Sequence, residues 1–313
     1  MVAGAVPGHA VWQGRVFGIA CALTLLVGCM AGVSQSPSPA SGSGDTTATT
    51  TVEVDDRSVL LYVPVSRRSS TPAALVVVLH GYTGEAVGAV EFFGLRPLAD
   101  QRGFLVAAPQ GTVDSEGRTF WNASHACCNF HGSKVDDSGF LSRVIAAVVA
   151  AQSVDPARVY VVGHSNGGFM AHRLACEHAD QVAAIASLAG AMDADAECEP
   201  SKPVSVLQVH GEADDSILYD GGELNGTPYT SAMETVARWR RADRCSADGR
   251  PSAPLDADAD VTGEDLTPTT WTGCRGDTEV ALWTIADGGH VPALTPAFSA
   301  ALIDWLEAHG RRR

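Results

Sequence analysis

Lysine is almost absent. Only Lys134 and Lys202 occur among 313 residues, and the remaining basic side chains are arginine. Basic residues are outnumbered as well, 21 against 36 acidic ones, which leaves a formal net charge of -15, and no stretch concentrates them. A field of that sign repels phosphate backbones, so nucleic acid is not expected as a partner. Long apolar runs are also missing. The N-terminal run from Val16 to Gly28 falls short of the ~20 residues a bilayer span needs. Metal-ligand spacing is lacking too: Cys127 and Cys128 are adjacent, whereas zinc sites separate their cysteines by about two to four residues. Asp256 to Asp260 alternates Asp with Ala, yet Val261 and Thr267 stand where a calcium loop needs Gly and Glu. That stretch reads as a solvated acidic loop, and neither a metal nor an organic cofactor is expected.

What is present begins with an export signal. Arg15 precedes the short apolar run, which has the length of a signal-peptide core. It ends in Leu26-Val27-Gly28-Cys29, which resembles a bacterial lipobox. The resemblance implies cleavage before Cys29 and lipidation of its thiol, hence a membrane partner through an N-terminal lipid anchor and an extracytoplasmic location. Residues 1–28 are then the signal, and 29–51, rich in Ser, Thr, Pro, Ala and Gly, a flexible tether. Residues 52–313 remain for one catalytic domain, which is enough chain for a well-buried core.

Six cysteines stay with that domain, namely Cys127, Cys128, Cys176, Cys198, Cys245 and Cys274. An even number in an exported chain suggests three disulfides. Cys245 and Cys274 flank one insertion, which holds the acidic stretch, and are expected to pair. Cys127 and Cys128 are expected to pair with Cys176 and Cys198 in an order left open. A vicinal Cys127–Cys128 bond is the alternative.

Strand-like and helix-like segments alternate, which implies a mostly parallel central sheet flanked by helices in a single α/β domain. Apolar, β-branched strands are expected at Val59–Val65, Ala74–Leu79, Phe104–Ala108, Val159–Val162, Val182–Leu188, Val204–Val209 and Val280–Ile285. Helices are expected at Ser138–Gln152 behind Asp136-Asp137, at Gly167–His178, Thr230–Arg241 and Pro296–His309.

The sharpest local signal is Gly163-His164-Ser165-Asn166-Gly167-Gly168, between a strand and a helix. That context suits a nucleophile elbow, which exposes a Ser hydroxyl above a sheet, and identifies Ser165 as the nucleophile of an α/β-hydrolase fold. A Ser needs a base to take its proton. His290, in the Gly-rich loop Asp287-Gly288-Gly289-His290 late in the chain, fits the order Ser, acid, His. The base needs a carboxylate to fix its tautomer. Asp214, in the loop after the strand Val204–Val209, is the first choice, with Asp215 and Asp137 as alternatives. The developing oxyanion needs preorganised N–H donors. The backbone of Asn166, directly after the nucleophile, supplies one, and Tyr82 in Leu79-His80-Gly81-Tyr82-Thr83-Gly84 the other.

From Val52 to Leu306 the chain resembles the bacterial polyhydroxybutyrate-depolymerase and feruloyl-esterase family, particularly its mycobacterial-type lipoprotein esterases. The resemblance rests on Leu79-His80-Gly81, on Trp121 with Cys127-Cys128, on Val135-Asp136-Asp137-Ser138-Gly139-Phe140, on the Ser165 elbow, on His210-Gly211-Glu212-Ala213-Asp214 and on Gly288-Gly289-His290. It implies an α/β-hydrolase that cleaves carboxylic esters through an acyl-enzyme, on a small-molecule or polymer substrate, with Asp214 as the triad acid. An acyltransferase or peptidase using the same residues, or a non-catalytic surface protein on this scaffold, are the alternatives. One departure stands out: where the family pattern continues Gly-Gly-His with Thr-Trp-Pro, this chain has Val291-Pro292. The lost aromatic wall implies small, short-acyl esters rather than feruloyl groups or polyester, unless Trp121 and Tyr82 supply that surface.

Overall fold

β-Branched residues dominate the start of the described chain, and such runs fit a pleated, half-buried surface. Strand β1 (Thr47–Val54) turns through Asp55 and Asp56 into β2 (Arg57–Pro64), with which it pairs antiparallel. The computed structural model describes residues 47–67 and 71–311. The expected signal, Cys29 and the tether as far as residue 46 lie outside the described residues. The tether does not reach residue 51: residues 47–51 belong to β1, because their backbone groups are taken up by β2.

Strand β3 (Ala73–Leu79) is buried along its whole length, as its unbroken apolar run requires. Two short helices, α1 (Ala86–Phe92) and α2 (Leu95–Arg102), lead to β4 (Leu105–Ala108). A small hairpin, β5 (Thr112–Val113) and β6 (Thr119–Phe120), precedes α3 (Asp137–Ala151), whose N-cap Asp136 accepts from the Gly139 N–H at 2.9 Å. Then follow β7 (Val154–His164), α4 (Asn166–Glu177), β8 (Ala184–Leu188) and β9 (Ser205–Gly211). A second hairpin, β10 (Gly222–Leu224) and β11 (Thr227–Tyr229), precedes α5 (Ala232–Asp243). Strands β12 (Arg250–Pro251), β13 (Leu266–Trp271) and β14 (Val280–Ile285) and helix α6 (Pro296–Ala308) complete the chain.

The large sheet runs β1-β2-β4-β3-β7-β8-β9-β14-β13-β12. The six strands from β4 to β14 in that order are parallel, and antiparallel pairs close both edges. Side chains alternate between two cores. Leu75, Val77 and Leu79 of β3 face one core with α3, α4 and α5, while Val76 and Val78 face the other with α1, α2 and α6. This is the α/β-hydrolase architecture, and the described residues form one domain. In parallel α/β sheets, functional groups gather beyond the carboxyl ends of the strands. Here those ends carry His80, Ser165, Asp214 and His290.

Two expected pairings are corrected by the structure. Cys176, near the end of α4, bonds to Cys198, and Cys127 bonds to Cys128. The reason is geometric: α4 and the segment ahead of β9 bring Cys176 and Cys198 together, which leaves the two adjacent thiols to each other. Cys245 and Cys274 pair as expected. The acidic stretch 256–260 is not simply solvated either. Asp258 is buried and accepts hydrogen bonds from the N–H groups of Asp260 and Ala293, at 3.1 and 2.9 Å.

Candidate active site

Ser165 sits at the joint of β7 and α4 with φ 54° and ψ -120°. Such a backbone costs a non-glycine residue about 1–3 kcal/mol. Its surroundings hold it there: the Ser165 N–H donates to the Leu188 carbonyl at 2.8 Å, and the Ser165 carbonyl accepts from Gly168 and Phe169 at 2.8 and 3.0 Å. The glycines of the motif are required by close backbone passage. A Cβ on Gly163 would collide with the carbonyl of Gly167, and one on Gly167 with the carbonyl of Leu79. No side chain fits where strand, elbow and helix cross.

The structure brings the three expected side chains into one line. Ser165 Oγ lies 2.9 Å from His290 Nε2, and His290 Nδ1 lies 2.8 and 3.0 Å from the two carboxylate oxygens of Asp214. His290 follows β14 and Asp214 follows β9, neighbouring parallel strands, so their loops emerge side by side. Asp214 is buried, which by itself raises a carboxyl pKa. Hydrogen bonds from His210, His290 and the Ile217 N–H outweigh that and hold the group well below the usual carboxylate range. It therefore faces His290 as an anion. The alternatives are placed elsewhere. Asp215 is exposed, its carboxylate taking the Ser216 hydroxyl, and buried Asp137 is tied to Arg57, Thr112 and the Asn122 N–H.

The two expected oxyanion donors also flank Ser165. The Asn166 N–H is the first of α4 and has no acceptor within the helix. The loop after β3 passes so close that a Cβ on Gly81 would sit 3.3 Å from that of Ser165, and Tyr82 follows directly. Among the described residues, neither the Asn166 nor the Tyr82 backbone N–H has a protein acceptor.

Several supporting residues escaped the sequence reading. The His80 Nε2 accepts from the Gly111 N–H at 2.9 Å, so its Nδ1–H donates to the Gly81 carbonyl at 2.7 Å. Burial pushes the His80 pKa down and keeps that ring neutral. The Asn166 side chain clamps both backbone groups of Trp121, at 2.7 and 3.0 Å, while Trp121 Nε1–H donates to the His80 carbonyl at 3.0 Å. This fixes the loop of Tyr82 against the start of α4. The motif His-Gly after a strand was the available signal for His80. Nothing in the sequence distinguished His164.

Trp121 is fully buried and offers no surface to a substrate. Tyr82 is half-buried and meets Phe130 edge-on, with ring centroids 5.4 Å apart. Val291, beside His290, is 66% exposed, so no side chain covers it. A cavity of about 930 Å³ lies along α4, lined in part by His125, Asn129, His172 and Arg173, and none of Ser165, Asp214 or His290 lines it.

With this geometry in view, comparison with known proteins is informative. A sequence profile described as the alpha/beta hydrolase fold matches residues 74–233. A putative esterase, NocK, of Nocardia uniformis subsp. tsuyamanensis is 34% identical over 195 residues, covering 57% of this chain and 55% of that protein. Feruloyl esterase B of Piromyces equi is 27% identical over 243 residues, covering 75% of this chain and 42% of that one. The chain thus spans about half the length of these curated relatives. Among solved structures, an acetyl xylan esterase from Aspergillus awamori superimposes with a TM-score of 0.58 at 17% identity, covering 83% of this chain and 99% of that one, a likeness of fold.

Proposed function

Because the chain belongs to the α/β-hydrolase fold family, we propose that it is an exported, lipid-anchored serine esterase that cleaves carboxylic esters with short acyl groups. The observation that carries this reading is the 2.9 Å approach of Ser165 Oγ to a histidine whose other nitrogen is held by a buried carboxylate. Ser165 Oγ attacks the ester carbonyl as His290 Nε2 takes its proton. Asp214 stabilises the imidazolium that forms. The N–H groups of Asn166 and Tyr82 donate hydrogen bonds to the carbonyl oxygen as it gains negative charge. Collapse of the tetrahedral adduct releases the alcohol, which takes the proton back from His290. Water then repeats the sequence on the acyl-enzyme. The curated relatives named as esterases support the choice of ester over amide.

The acyl preference is supported by the open ground beside His290. An aromatic wall there would add about 0.5–1.5 kcal/mol of stacking for a phenolic ring, and exposed Val291 offers none. The anchor reading is supported by Leu26-Val27-Gly28-Cys29 and by three cysteine pairs, which suit an oxidising compartment.

The test is kcat/KM on acetyl and butyryl aryl esters, feruloyl esters and polyester granules. The short esters are expected to be turned over best, and Val291→Trp to raise relative activity on aromatic acyl groups. Feruloyl esters or granules turned over far better than short esters would overturn the acyl preference. Ser165→Ala should lower turnover by about three orders of magnitude or more; a loss under about tenfold would sink the mechanism. Mass spectrometry of the mature N-terminus is expected to find diacylglycerol on Cys29, and an unmodified residue there would remove the anchor.

A further inference from the structure

Behind Asp214, on the face of the sheet covered by α4 and α5, lies a file of polar side chains buried among apolar ones. Trp239 of α5, His172 of α4 and Gln208 and His210 of β9 are each at most 1% exposed. Gln208 and His210 are two residues apart on one strand and so project to the same face. Trp239 Nε1 lies 3.0 Å from His172 Nδ1, and His172 Nε2 lies 2.9 Å from Gln208 Oε1. Gln208 Nε2 lies 2.8 Å from the Gly190 carbonyl and 3.2 Å from His210 Nδ1. His210 Nε2 lies 2.7 Å from the Ile217 carbonyl and 3.3 Å from Asp214 Oδ2.

The protons in this file have one consistent arrangement. An indole N–H can only donate, so His172 Nδ1 accepts and its Nε2 carries the proton. Gln208 therefore turns its oxygen to His172 and its NH₂ away, toward Gly190 and His210. His210 Nδ1 accepts, and its proton sits on Nε2. The other end demands the same answer independently, because the carbonyls of Gly190 and Ile217 can only accept. Burial pushes the His172 pKa down to about 4, in keeping with a neutral ring. The hydrogen bonds all run toward the acid: Trp239 to His172 to Gln208 to His210 to the Asp214 turn. They meet the bond from His290 on the same carboxylate oxygen.

We propose that Trp239, His172, Gln208 and His210 form a directed positioning relay that holds the Asp214 turn and fixes the carboxylate on His290 Nδ1. The proposal rests on the esterase reading of Ser165, Asp214 and His290 given above. The turn is tight and polar. Asp214 Oδ1 accepts from the N–H groups of Ser216 and Ile217 at 2.9 and 2.8 Å, and His210 holds the carbonyl side of the same Ile217. With His210 in the opposite tautomer, a lone pair would face both the Ile217 carbonyl and the Asp214 carboxylate. That repulsion would push the carboxylate off the line to His290. A buried file of this kind costs stability if any member is left unsatisfied. Its place directly behind the acid, in contact with the same carboxylate oxygen as His290, points to orientation of a reacting group.

Two measurements test the relay. Ring-nitrogen NMR of the full-length wild type should find His172 and His210 neutral and protonated at Nε2, and protonation of His210 at Nδ1 would overturn the proposal. Gln208→Met keeps the volume and removes the donor to His210. In a protein that melts cooperatively, it should lower kcat on a short aryl ester by about 10–100-fold with KM little changed. Trp239→Phe removes the obligate donor together with part of the indole volume and should act in the same direction by less, and in a cooperatively melting variant it carries the test if Gln208→Met does not fold. A folded variant with kcat within about twofold of wild type overturns the relay. Should the wild type hydrolyse no ester, the proposed function falls, and labelling of Ser165 by a fluorophosphonate replaces turnover. Slower labelling in Gln208→Met then supports the relay, and equal labelling overturns it.

Discussion

The ring of His164 donates from Nε2 to the backbone carbonyl of His290 at 2.8 Å, so the residue before the nucleophile holds the residue expected to activate it. Burial drives the His164 pKa down to about 4. The ring packs between Phe92 and His290, with centroids 4.9 and 5.1 Å away. His164→Phe keeps that packing and removes the donor. We expect kcat/KM to fall by about 10–100-fold with only a small change in melting temperature, because the His290 loop loses its anchor. Steady-state kinetics beside thermal unfolding decide the point: unchanged kinetics would show that the loop is held without it.

Asp214→Asn preserves shape and removes the charge. The amide turns an N–H or a weaker acceptor toward His290 and no longer enforces the Nδ1–H tautomer, so kcat should fall by roughly 10³–10⁴-fold. The stability effect has a definite sign. Asp214 titrates lower in the folded than in the unfolded chain. Its contribution is thus present above the ordinary Asp pKa and is lost as pH falls through the folded value. The variant should unfold more easily than wild type at neutral pH, and the gap should close in strong acid. Denaturant titrations at several pH values measure it, and a gap independent of pH contradicts the assignment.

Asp243, at the end of α5, is buried, and its Oδ1 has no partner among the described residues. Burial raises its pKa to about 6, against hydrogen bonds from the Val204 N–H and Thr278. A carboxyl raised on folding contributes stability that is full below the unfolded pKa and disappears as pH rises through about 6. His164 and His172, both lowered to about 4, act oppositely as pH falls from 6.5. The wild-type curve therefore mixes the two, and the informative quantity is a difference. Asp243→Asn should gain relative to wild type by about 1–2 kcal/mol between pH 4 and pH 7. A flat difference across that range would refute the raised pKa.

Two glycines make an opposed pair. Gly163→Ala sets a methyl group against the Gly167 carbonyl at the elbow and should cost about 3 kcal/mol or more, or prevent folding. Gly88 lies inside α1, and a Cβ there would meet nothing within 4 Å. Gly88→Ala should stabilise by about 0.5–1 kcal/mol. Thermal melts of the two variants should move in opposite directions.

How much of this was legible before the fold is uneven, for physical reasons. Parallel strands buried on both faces announce themselves by apolar, β-branched stretches, as β3 and the middle of β7 did throughout and β8, β9 and β14 did with isolated polar interruptions. The elbow was legible because its glycines answer to backbone collisions that few other turns impose. Helices α1 and α2 were not, since Gly88 interrupts the first and Pro97 the second. Nor was β13, which carries Pro268 at an antiparallel edge. The vicinal Cys127–Cys128 bond was weighed as an alternative, because pairing depends on where α4 sets Cys176. Gln208 lay inside an expected strand and His210 at its end, with nothing local to mark a role. Their roles depend on Trp239 and His172, which approach from two helices, and no local pattern registers that.

Ser165 and His290 are 125 residues apart, and Asp214 and His290 are 76 apart, yet all three meet at adjoining strand ends. A chain made from its N-terminus therefore holds the elbow, the N–H donors and the acid well before the base arrives. Until β14 docks beside β9, the hydroxyl of Ser165 has nothing to take its proton. The order of the strands thus delays activation in time: the nascent polypeptide has its serine before its base, and the two meet only when the last parallel strand, β14, is in place.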